Sequence, residues 1–398
     1  MTEWEVRPLG EVCRVVNGGT PKTSVPEYWG GEHRWITPAE MGNLSSPYVA
    51  DTSRKLTSLG LSNCSASLSP ANSVILSTRA PIGHLVINTE PMATNQGCRT
   101  MVPGSGIHDK YLYFYLDSIR GVLDALGTGA TFRELSSGVL KRITIPVPSL
   151  PEQTQIVGIL EEALEGIAAG RVNAEKNLRN AHALFESHLQ SVFTQRGEGW
   201  SERALGDLAT FRNGINFTKS SRGESVRIVG VKDFRSGFWA PLDNLDTVTT
   251  DGALTDADVL REDDLLFVRS NGNIALIGRS LLVGEVHEKT AHSGFTIRAR
   301  LNAGGLSPRF LCHFVKSSEA RRQMIAGGTG TNIKSLSQSI LSALVVPIPP
   351  IAEQSRIVRQ VEAMDAEAQR LGAIYQRKLG ALDEVKKSLL HQAFAGKL

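Results

Sequence analysis

Several features that would define a membrane, disulfide-rich or metal-binding protein are missing from this sequence. No apolar run approaches the roughly 18–20 residues of a membrane span, and the opening MTEWEVRPLG lacks the charged-then-apolar order of a secretory signal. The four cysteines are far apart and form no CxxC pair or Cys/His cluster. We therefore expect no membrane association, no metal site and a cytoplasmic location.

Catalytic and nucleotide-binding motifs are also missing. No GxxxxGK[ST] phosphate loop, GxSxG elbow, HExxH pair or Asp/Asn-Pro-Pro-aromatic tetrapeptide occurs. The GTG segments at 127–129 and 328–330 lack the third glycine of a dinucleotide fingerprint. Isolated histidines such as His84, His287 and His292 are more typical of surface or packing positions than of catalysts. The sequence predicts a chain that is not an enzyme by itself and holds no cofactor.

The composition is that of an ordinary globular protein with little net charge. The 398 residues are 41% hydrophobic and 21% charged, and the net charge is +3. A chain of this length is too long for one hydrophobic core and predicts two or three domains. The charge permits nucleic-acid binding without arguing for it.

The clearest positive signal is an internal repeat. Residues 146–158 read PVPSLPEQTQIVG, and residues 347–359 read PIPPIAEQSRIVR. GTGATFRELS at 127–136 returns as GTGTNIKSLS at 328–337, and WEVRPLGE at 4–11 returns as WSERALGD at 200–207. Solenoid units are only about 20–50 residues long, so a repeat of this size indicates two copies of one domain. We expect a pseudo-twofold molecule with similar but non-identical halves.

Each half begins with an α+β region and ends with a long helical segment. Short apolar runs between turn residues predict strands at 73–77 and 143–145, and helices are predicted at 110–118 and 309–317. Helix formers then dominate residues 151–196 and 351–398, and Ser149 begins a capping-box spacing with Glu152. The predicted organisation is a globular domain at 1–150, a long helix at 151–196, a second globular domain at 197–350 and a second long helix at 351–398.

A heptad seam predicts that each long helix packs against a partner helix. In the second copy the seam is Ile357, Val361, Met364, Ala368, Leu371, Tyr375, Lys378, Leu382, Val385, Leu389 and Gln392. In the first it is Ile156, Leu160, Ala163, Ile167, Gly170, Ala174, Asn177, Ala181 and Leu184. Asn177 and Lys378 share one seam position, which is either solvent-exposed or a polar pair that fixes the register. The simplest arrangement is two antiparallel helices that hold two globular domains apart.

The repeated motifs together resemble the specificity (S) subunit of type I restriction-modification systems over essentially the whole chain. The features are the paired openings, NGGTPKTSVPEYWGGEHRWITPAEM at 17–41, TNQG at 94–97, Pro-x-Pro-x-x-x-Glu-Gln before each helix and the ending HQAFAGKL. The resemblance implies an α+β fold of two target recognition domains joined by two long antiparallel coiled-coil helices. It also implies double-stranded DNA, two methyltransferase subunits and two restriction subunits as partners. S-adenosylmethionine would be bound by the methyltransferase, not by this chain.

Three pairs of polar loops are the candidate DNA-binding elements, because readout needs long donors on rigid supports. Arg79 and Arg269 each follow an apolar strand, Ser270 and Asn271 come directly after Arg269, and the other candidates lie in the loops at 18–22, 95–97, 216–219 and 292–294. The alternative for each residue is a solvated turn or a contact that serves the fold. The candidates are Thr20, Lys22, Arg79, Asn95, Gln96, Thr218, Lys219, Arg269, Ser270, Asn271, His292 and Ser293.

The sequence therefore predicts a non-catalytic subunit that reads a bipartite, asymmetric DNA site. The alternative is an adaptor that does not bind DNA and uses its coiled coil to assemble partner proteins. Loss of affinity with salt would distinguish them, since only a DNA reader releases counterions on binding. A solitary repressor is less consistent with the sequence, which has no evident helix-turn-helix.

Overall fold

The computed structural model describes residues 4–79, 81–129, 133–235, 237–270, 273–302, 304–326 and 335–398. The chain divides into two compact units. Unit 1 comprises Met1–Glu175 and Arg377–Leu398, and unit 2 comprises Lys176–Gln376. Each unit therefore contains one globular region and a segment of both long helices.

Among its described residues, unit 1 contains ten strands, six short α-helices and the first part of a long one. The strands are β1 Glu5–Pro8, β2 Cys13–Asn17, β3 Trp29–Ile36, β4 Tyr48–Val49, β5 Lys55–Leu56, β6 Ser73–Ser77, β7 Leu85–Asn88, β8 Met92–Thr94, β9 Cys98–Pro103 and β10 Thr144–Val147. The helices are α1 Leu9–Val12, α2 Pro38–Gly42, α3 Ser58–Ser62, α4 Asp109–Ser118, α5 Arg120–Ala125, α6 Ser137–Arg142 and α7 Leu150–Thr194.

Unit 2 repeats this order, with fewer regular elements among the residues that the structure describes. Its strands are β11 Ser201–Ala204, β12 Ala209–Asn213, β13 Ser225–Val229, β14 Asp246–Thr249, β15 Leu265–Val268, β16 Ser280–Leu282, β17 Thr290–His292, β18 Thr296–Leu301 and β19 Val345–Ile348. Its helices are α8 Pro308–Lys316, α9 Ser318–Ala326, α10 Gln338–Ser342 and α11 Ile351–Phe394.

The sheets show that the repeat is one of topology as well as sequence. Unit 1 has strand orders β2-β9-β6-β7-β4, β5-β3-β8 and β1-β10; unit 2 has β12-β18-β15-β16, β14-β13-β17 and β11-β19. In each unit the three-stranded sheet contains one parallel pair, β3 with β8 and β13 with β17. The predicted α+β class and the internal repeat are confirmed.

The two long segments are continuous helices, as predicted. Helix α7 has 45 residues and α11 has 44. In unit 1, Ile156 and Leu160 share a core with Leu390, while Arg171 contacts Asp383 at 2.6 Å, so the two segments run antiparallel. In unit 2 the same direction follows from two contacts: Leu189 and Phe193 share a core with Ile357 and Val361, and Leu178 packs beside Gly372.

The buried stripe departs from the predicted seam towards the end of each helix. Leu184 and Val385 are 59% and 53% exposed, and Lys378 and Gln392 are exposed too. Phe185 and Leu189 are packed instead in α7, and Leu390 and Ala393 are packed instead in α11. A straight helix with 3.6 residues per turn drifts away from a 3.5-residue heptad. The exposure of Lys378 fits the solvent-exposed interpretation of that seam position.

The Pro-x-Pro-x-x-x-Glu-Gln motif before the first long helix ends in a buried glutamine, Gln153. Gln153 is fully buried, accepts a hydrogen bond from the amide of His108 at 2.8 Å and donates to the carbonyls of Gly106 and Pro148, both at 2.9 Å. The preceding Glu152 completes the predicted capping box, since its carboxylate accepts from the Ser149 amide and hydroxyl. The motif therefore fastens the start of α7 to the N-cap residue of α4.

None of the helices in the described ranges is long and apolar enough to cross a membrane. Three of the four cysteines, Cys13, Cys98 and Cys312, are buried, and burial raises the pKa of each thiol to about 12. These thiols are protonated at neutral pH and pack as small apolar side chains.

Candidate nucleic-acid interface

The parallel strand pair of each unit places the candidate loops at one edge. Ile36 pairs with Thr94 at the ends of β3 and β8, and Val229 pairs with His292 at the ends of β13 and β17. Strands that run in parallel send their following loops out from the same side of the sheet. The loop after β2 joins this edge in unit 1, because the Gly19 amide donates to the Thr94 carbonyl at 2.9 Å.

Unit 1 brings its three predicted loops together. Asn95 donates from Nδ2 to the Thr20 hydroxyl at 3.1 Å and accepts from the Gly97 amide at 2.6 Å. The Arg79 amide lies 3.3 Å from the Gly97 carbonyl, which joins the loop after β6 to the same turn. Asn95 is therefore half-buried and occupied by contacts within the cluster, whereas Gln96 and Lys22 are exposed.

The sequence around the first loop shows how its backbone is fixed. A Cβ atom on Gly18 would lie 1.9 Å from the Asn95 carbonyl oxygen, so the close approach of these two loops requires glycine. The indole of Trp35 donates to the Gly19 carbonyl at 2.9 Å, and that of Trp29 donates to the Lys22 carbonyl at 3.4 Å. The two tryptophans of the YWGGEHRW segment thus hold the GGTPK loop.

Arg79 is the outer member of a charged triad. Its Nε donates to one oxygen of Glu134 at 2.9 Å, and Arg99 Nη2 donates to the other oxygen at 3.0 Å. The Arg99 side chain is only 12% exposed and also donates to the carbonyls of Gln96 and Cys98. Arg79 remains 44% exposed, so one guanidinium is fixed in the protein and the other faces solvent.

In unit 2 the equivalent loops make the same backbone hydrogen bonds but carry different side chains. We call this shared set of backbone hydrogen bonds the loop frame. The Ile215 amide donates to the His292 carbonyl at 2.8 Å, as Gly19 does to Thr94. The Arg269 amide donates to the Phe295 carbonyl at 2.8 Å, which matches the bond from Thr78 to the Gly97 carbonyl. The carbonyls of Thr78 and Arg269 accept from Leu135 and Leu336, respectively.

The matching backbone hydrogen bonds show that Arg79 and Arg269 do not lie at equivalent positions of the two units. Arg269 occupies the backbone position of Thr78, and Ser270 occupies that of Arg79. Both arginines lie on the predicted loops, but Arg269 is one residue earlier in its loop than Arg79 is in the equivalent loop. Arg269 is half-buried and donates from Nη1 to the Gly294 carbonyl at 3.3 Å, and Ser270 is also half-buried. Asn271 lies outside the described residues.

His292 and Ser293 are core residues rather than exposed donors, contrary to their selection as DNA-binding candidates. They are 1% and 5% exposed. His292 Nδ1 lies 2.9 Å from the Thr296 hydroxyl, and burial, with a contribution from Arg298, lowers the pKa of the imidazole to about 3. Neutral and enclosed, this ring serves the fold. The sequence suggested exposure only because the segment resembled a turn.

The remaining candidates of unit 2 lie on an exposed hydroxyl-rich loop. Thr218 and Lys219 are exposed, the Thr218 hydroxyl lies 2.8 Å from the Ser220 hydroxyl, and the Thr218 amide donates to the Ser221 hydroxyl at 2.9 Å. Hydroxyls and a flexible cation of this kind suit phosphate contacts.

Three residues of the interface were not identified from the sequence. Glu134 and Arg99 hold Arg79, and Phe295 is 61% exposed at the position equivalent to Gly97. Alignment of the two copies could have identified Glu134, since FREL at 132–135 aligns with IKSL at 333–336 and the glutamate is replaced by serine. Phe295 follows Gly294 in a turn and exposes most of its ring. The side chains gathered at these two edges include hydrogen-bond donors, hydroxyls, the Glu134 carboxylate and the exposed ring of Phe295.

No group of three or more His, Cys, Asp or Glu side chains that could hold a metal occurs among the residues the structure describes. The two edges carry hydrogen-bond donors on exposed or half-buried side chains. Donors of this kind suit base edges and phosphates.

The family described as the type I restriction modification DNA specificity domain matches the chain twice, at residues 1–174 and 197–376. The MjaIX specificity subunit of a type I restriction enzyme from Methanocaldococcus jannaschii is 32% identical over 230 residues. That alignment covers 54% of this chain and 53% of the relative, so the chain matches about half the length of that protein.

Longer similarity extends to another specificity subunit and to a solved structure. The StySPI subunit of Salmonella potsdam is 24% identical over 99% of this chain and 89% of its own length. A chain from the structural study of complex assembly and conformational transition of the type I R-M system superposes with a TM-score of 0.81. It covers 100% of this chain and 99% of its own at 18% identity, which establishes a shared fold.

Proposed function

The chain belongs to the type I restriction-modification DNA specificity family, and from that premise we propose that it reads a bipartite, asymmetric DNA site, one half with each unit. It is a non-catalytic specificity subunit, so methylation and cleavage are performed by other subunits of the complex. The adaptor alternative has no support from the family, whose domain is a DNA specificity domain.

The observation that carries the proposal is one loop frame built twice with different side chains. Thr78 corresponds to Arg269 and Gly97 to Phe295, while the backbone hydrogen bonds around them are the same. A fixed frame with changed donors suits two domains that approach DNA alike and select different bases. The two half-sites are therefore expected to differ in sequence.

The chemistry of the exposed side chains supports this assignment of roles. An arginine guanidinium can donate two hydrogen bonds to the O6 and N7 atoms of guanine, and Gln can pair with adenine. Arg79 and Gln96 supply such groups in unit 1, and Arg269 supplies one in unit 2. Lys22, Thr218 and Lys219 are suited to phosphates, which set position rather than sequence.

For the protein partners we propose two methyltransferase subunits, one at each unit, together with the restriction subunits of the complex. Equivalent surfaces favour equivalent partners. Unit 1 has a groove of about 720 Å³ beside α4 and α7, where Lys110 pairs with Glu161 at 2.7 Å and lies over the exposed ring of Tyr48.

Unit 2 has the corresponding groove of about 510 Å³ beside α8 and α11. Arg309 pairs with Glu362 at 3.0 Å and lies over the exposed ring of Trp239. Tyr48 and Trp239 also match in topology, since each forms a parallel bridge to the equivalent strands β7 and β16. We propose these two grooves as docking points for the two methyltransferase subunits. S-adenosylmethionine would bind to those subunits, and the complex would work in the cytoplasm where its DNA is found.

Methylome sequencing of cells that express this chain with its methyltransferase tests the function. We expect one interrupted, non-palindromic methylated sequence, and purified complexes should lose affinity for it steeply as salt rises. An unmethylated genome together with salt-independent or absent DNA binding would contradict the proposal. The mass of the assembled complex tests stoichiometry separately, and a single methyltransferase per chain would contradict the two-groove arrangement.

A further inference from the structure

The recognition edge of unit 1 contains a carboxylate, which is unexpected on a surface that approaches phosphates. Glu134 accepts hydrogen bonds from Arg79 and Arg99 on its two separate oxygens, at 2.9 and 3.0 Å. Its own backbone is fixed by reciprocal hydrogen bonds with Thr128, at 2.9 and 3.1 Å, and by a bridge to Arg79. The carboxylate is therefore attached to two rigid supports.

Arg99 gives the carboxylate its second support. The Arg99 guanidinium is mostly buried and donates from Nη1 to the carbonyls of Gln96 and Cys98, at 2.9 and 3.0 Å. The TNQG turn, Arg99, Glu134 and Arg79 thus form one connected chain of hydrogen bonds. A shift of any member would move the exposed guanidinium.

The hydrogen bond to Glu134 leaves the two terminal nitrogens of Arg79 available to bind a base. Among the described residues, its side chain donates from Nε alone. A guanidinium has five N–H groups, and the four on its Nη atoms form the fork that pairs with a guanine edge. The negative charge beside the fork also opposes a close approach of phosphate, so it favours a base over the DNA backbone as the acceptor.

We propose that Glu134 is a positioning residue, which aims the terminal nitrogens of Arg79 at a base edge and makes its contribution to DNA binding sequence-specific. The inference rests on the proposed role of Arg79 in DNA reading. The device belongs to unit 1 alone: the positions equivalent to Arg79, Glu134 and Arg99 are Ser270, Ser335 and Ile297.

The test uses the full chain assembled with its methyltransferase, after the methylated sequence has been identified. Affinities are measured for the intact site and for sites changed at one base pair of either half, over a range of salt concentrations. The variants are Glu134→Gln, Arg79→Ala and the double variant. We expect Glu134→Gln to lower discrimination at one half-site about 10-fold, within the range of a single bidentate contact, and to spare the other half-site.

Two further readouts separate positioning from a general structural effect. Arg79 is released to contact phosphate in Glu134→Gln, so the salt slope should steepen by about 0.9. The double variant should discriminate no worse than Arg79→Ala, because Glu134 acts through that side chain. Glu134→Asp keeps the charge with a shorter reach, so discrimination should fall while the salt slope stays at its wild-type value.

The control for net charge is Glu11→Gln, on α1 at the opposite end of β2 from the candidate loop, and it should change neither quantity. Glu134→Gln that keeps full discrimination while Arg79→Ala loses it would overturn the inference and leave the proposed function intact. Equal loss at both half-sites, or lower thermal stability with no change in discrimination, would assign Glu134 to the fold. No effect of Arg79→Ala would remove the premise itself.

Discussion

The side chains of Gln153 and Gln354 make the same three hydrogen bonds in the two units. Gln354 is fully buried, accepts from the Ser307 amide at 2.7 Å and donates to the carbonyls of Gly305 and Pro349, at 2.7 and 2.9 Å. Each glutamine thereby ties the start of a long helix to the N-cap of the helix that packs on it, which is α4 for α7 and α8 for α11.

We expect Gln153→Leu to destabilise unit 1, and Gln354→Leu to destabilise unit 2. Leucine fills a similar volume but leaves a buried amide and two carbonyls without partners, at a cost of about 1–3 kcal/mol in the free energy of unfolding. Denaturant unfolding measures the change. Gln190→Leu, at an exposed position of α7, is the control, and equal stability of all variants would contradict the proposed role.

Arg79→Ala and Arg269→Ala should separate the two half-sites. Each is expected to weaken discrimination at one half by about 1–3 kcal/mol and to spare the other, because a bidentate contact to guanine is local. Competition binding with singly substituted sites measures this. The control is Arg14→Ala, an exposed arginine in β2. Uniform weakening on all sequences, with a salt slope lower by about one, would instead assign the arginine to a phosphate.

Phe295→Ala should reduce affinity for the half-site read by unit 2. The ring is 61% exposed beside Arg269 in the frame, and an aromatic side chain at such an edge can pack on a thymine methyl or enter a base step. The loss should be largely independent of salt, since no charge is removed. Phe217→Ala, on the neighbouring loop, tests whether any exposed ring has the same effect. Unchanged binding by Phe295→Ala would exclude the contact.

Unit 2 should lose stability in acid more steeply than unit 1. Burial, with nearby cations, lowers the pKa of His292 to about 3 and that of His313 to about 4. The unfolded chain takes up these protons near pH 6.5 and the folded chain does not. With respect to these two groups, the free energy of unfolding is therefore highest above pH 6.5. It falls as the pH drops towards the two folded-state pKa values, by up to about 1.4 kcal/mol per pH unit for each group.

Thermal unfolding between pH 7.5 and 4.5 tests this expectation. His292→Thr introduces the residue that unit 1 carries at the equivalent position, Thr94, and should flatten the pH dependence even where it lowers overall stability. His287→Gln removes an exposed histidine and serves as the control. A pH dependence unaltered by His292→Thr would show that another group causes it.

The sequence predicted the features that depend on short spacings. The internal repeat, the two unbroken helices and the capping box of Ser149 with Glu152 each involve residues a few positions apart or a direct comparison of two segments. The apolar seam predicted a partner helix, and antiparallel packing of the two long helices was the simplest arrangement. The last positions predicted for the seam were wrong because a heptad pattern assumes a supercoil. The buried stripe instead follows the straight-helix period after about residue 378 in α11 and after about residue 181 in α7.

Tertiary structure alone decided which polar loop residues face solvent and what holds them. Arg79 and Glu134 are 55 positions apart, and His292 is buried at the end of β17, opposite Val229 of β13; no local pattern contains these facts. The one-position difference between Arg79 and Arg269 becomes visible only in the backbone hydrogen bonds of the folded loops. Spacing along the chain fixes helices and repeats, whereas the recognition edge is assembled from distant segments whose contacts form only on folding.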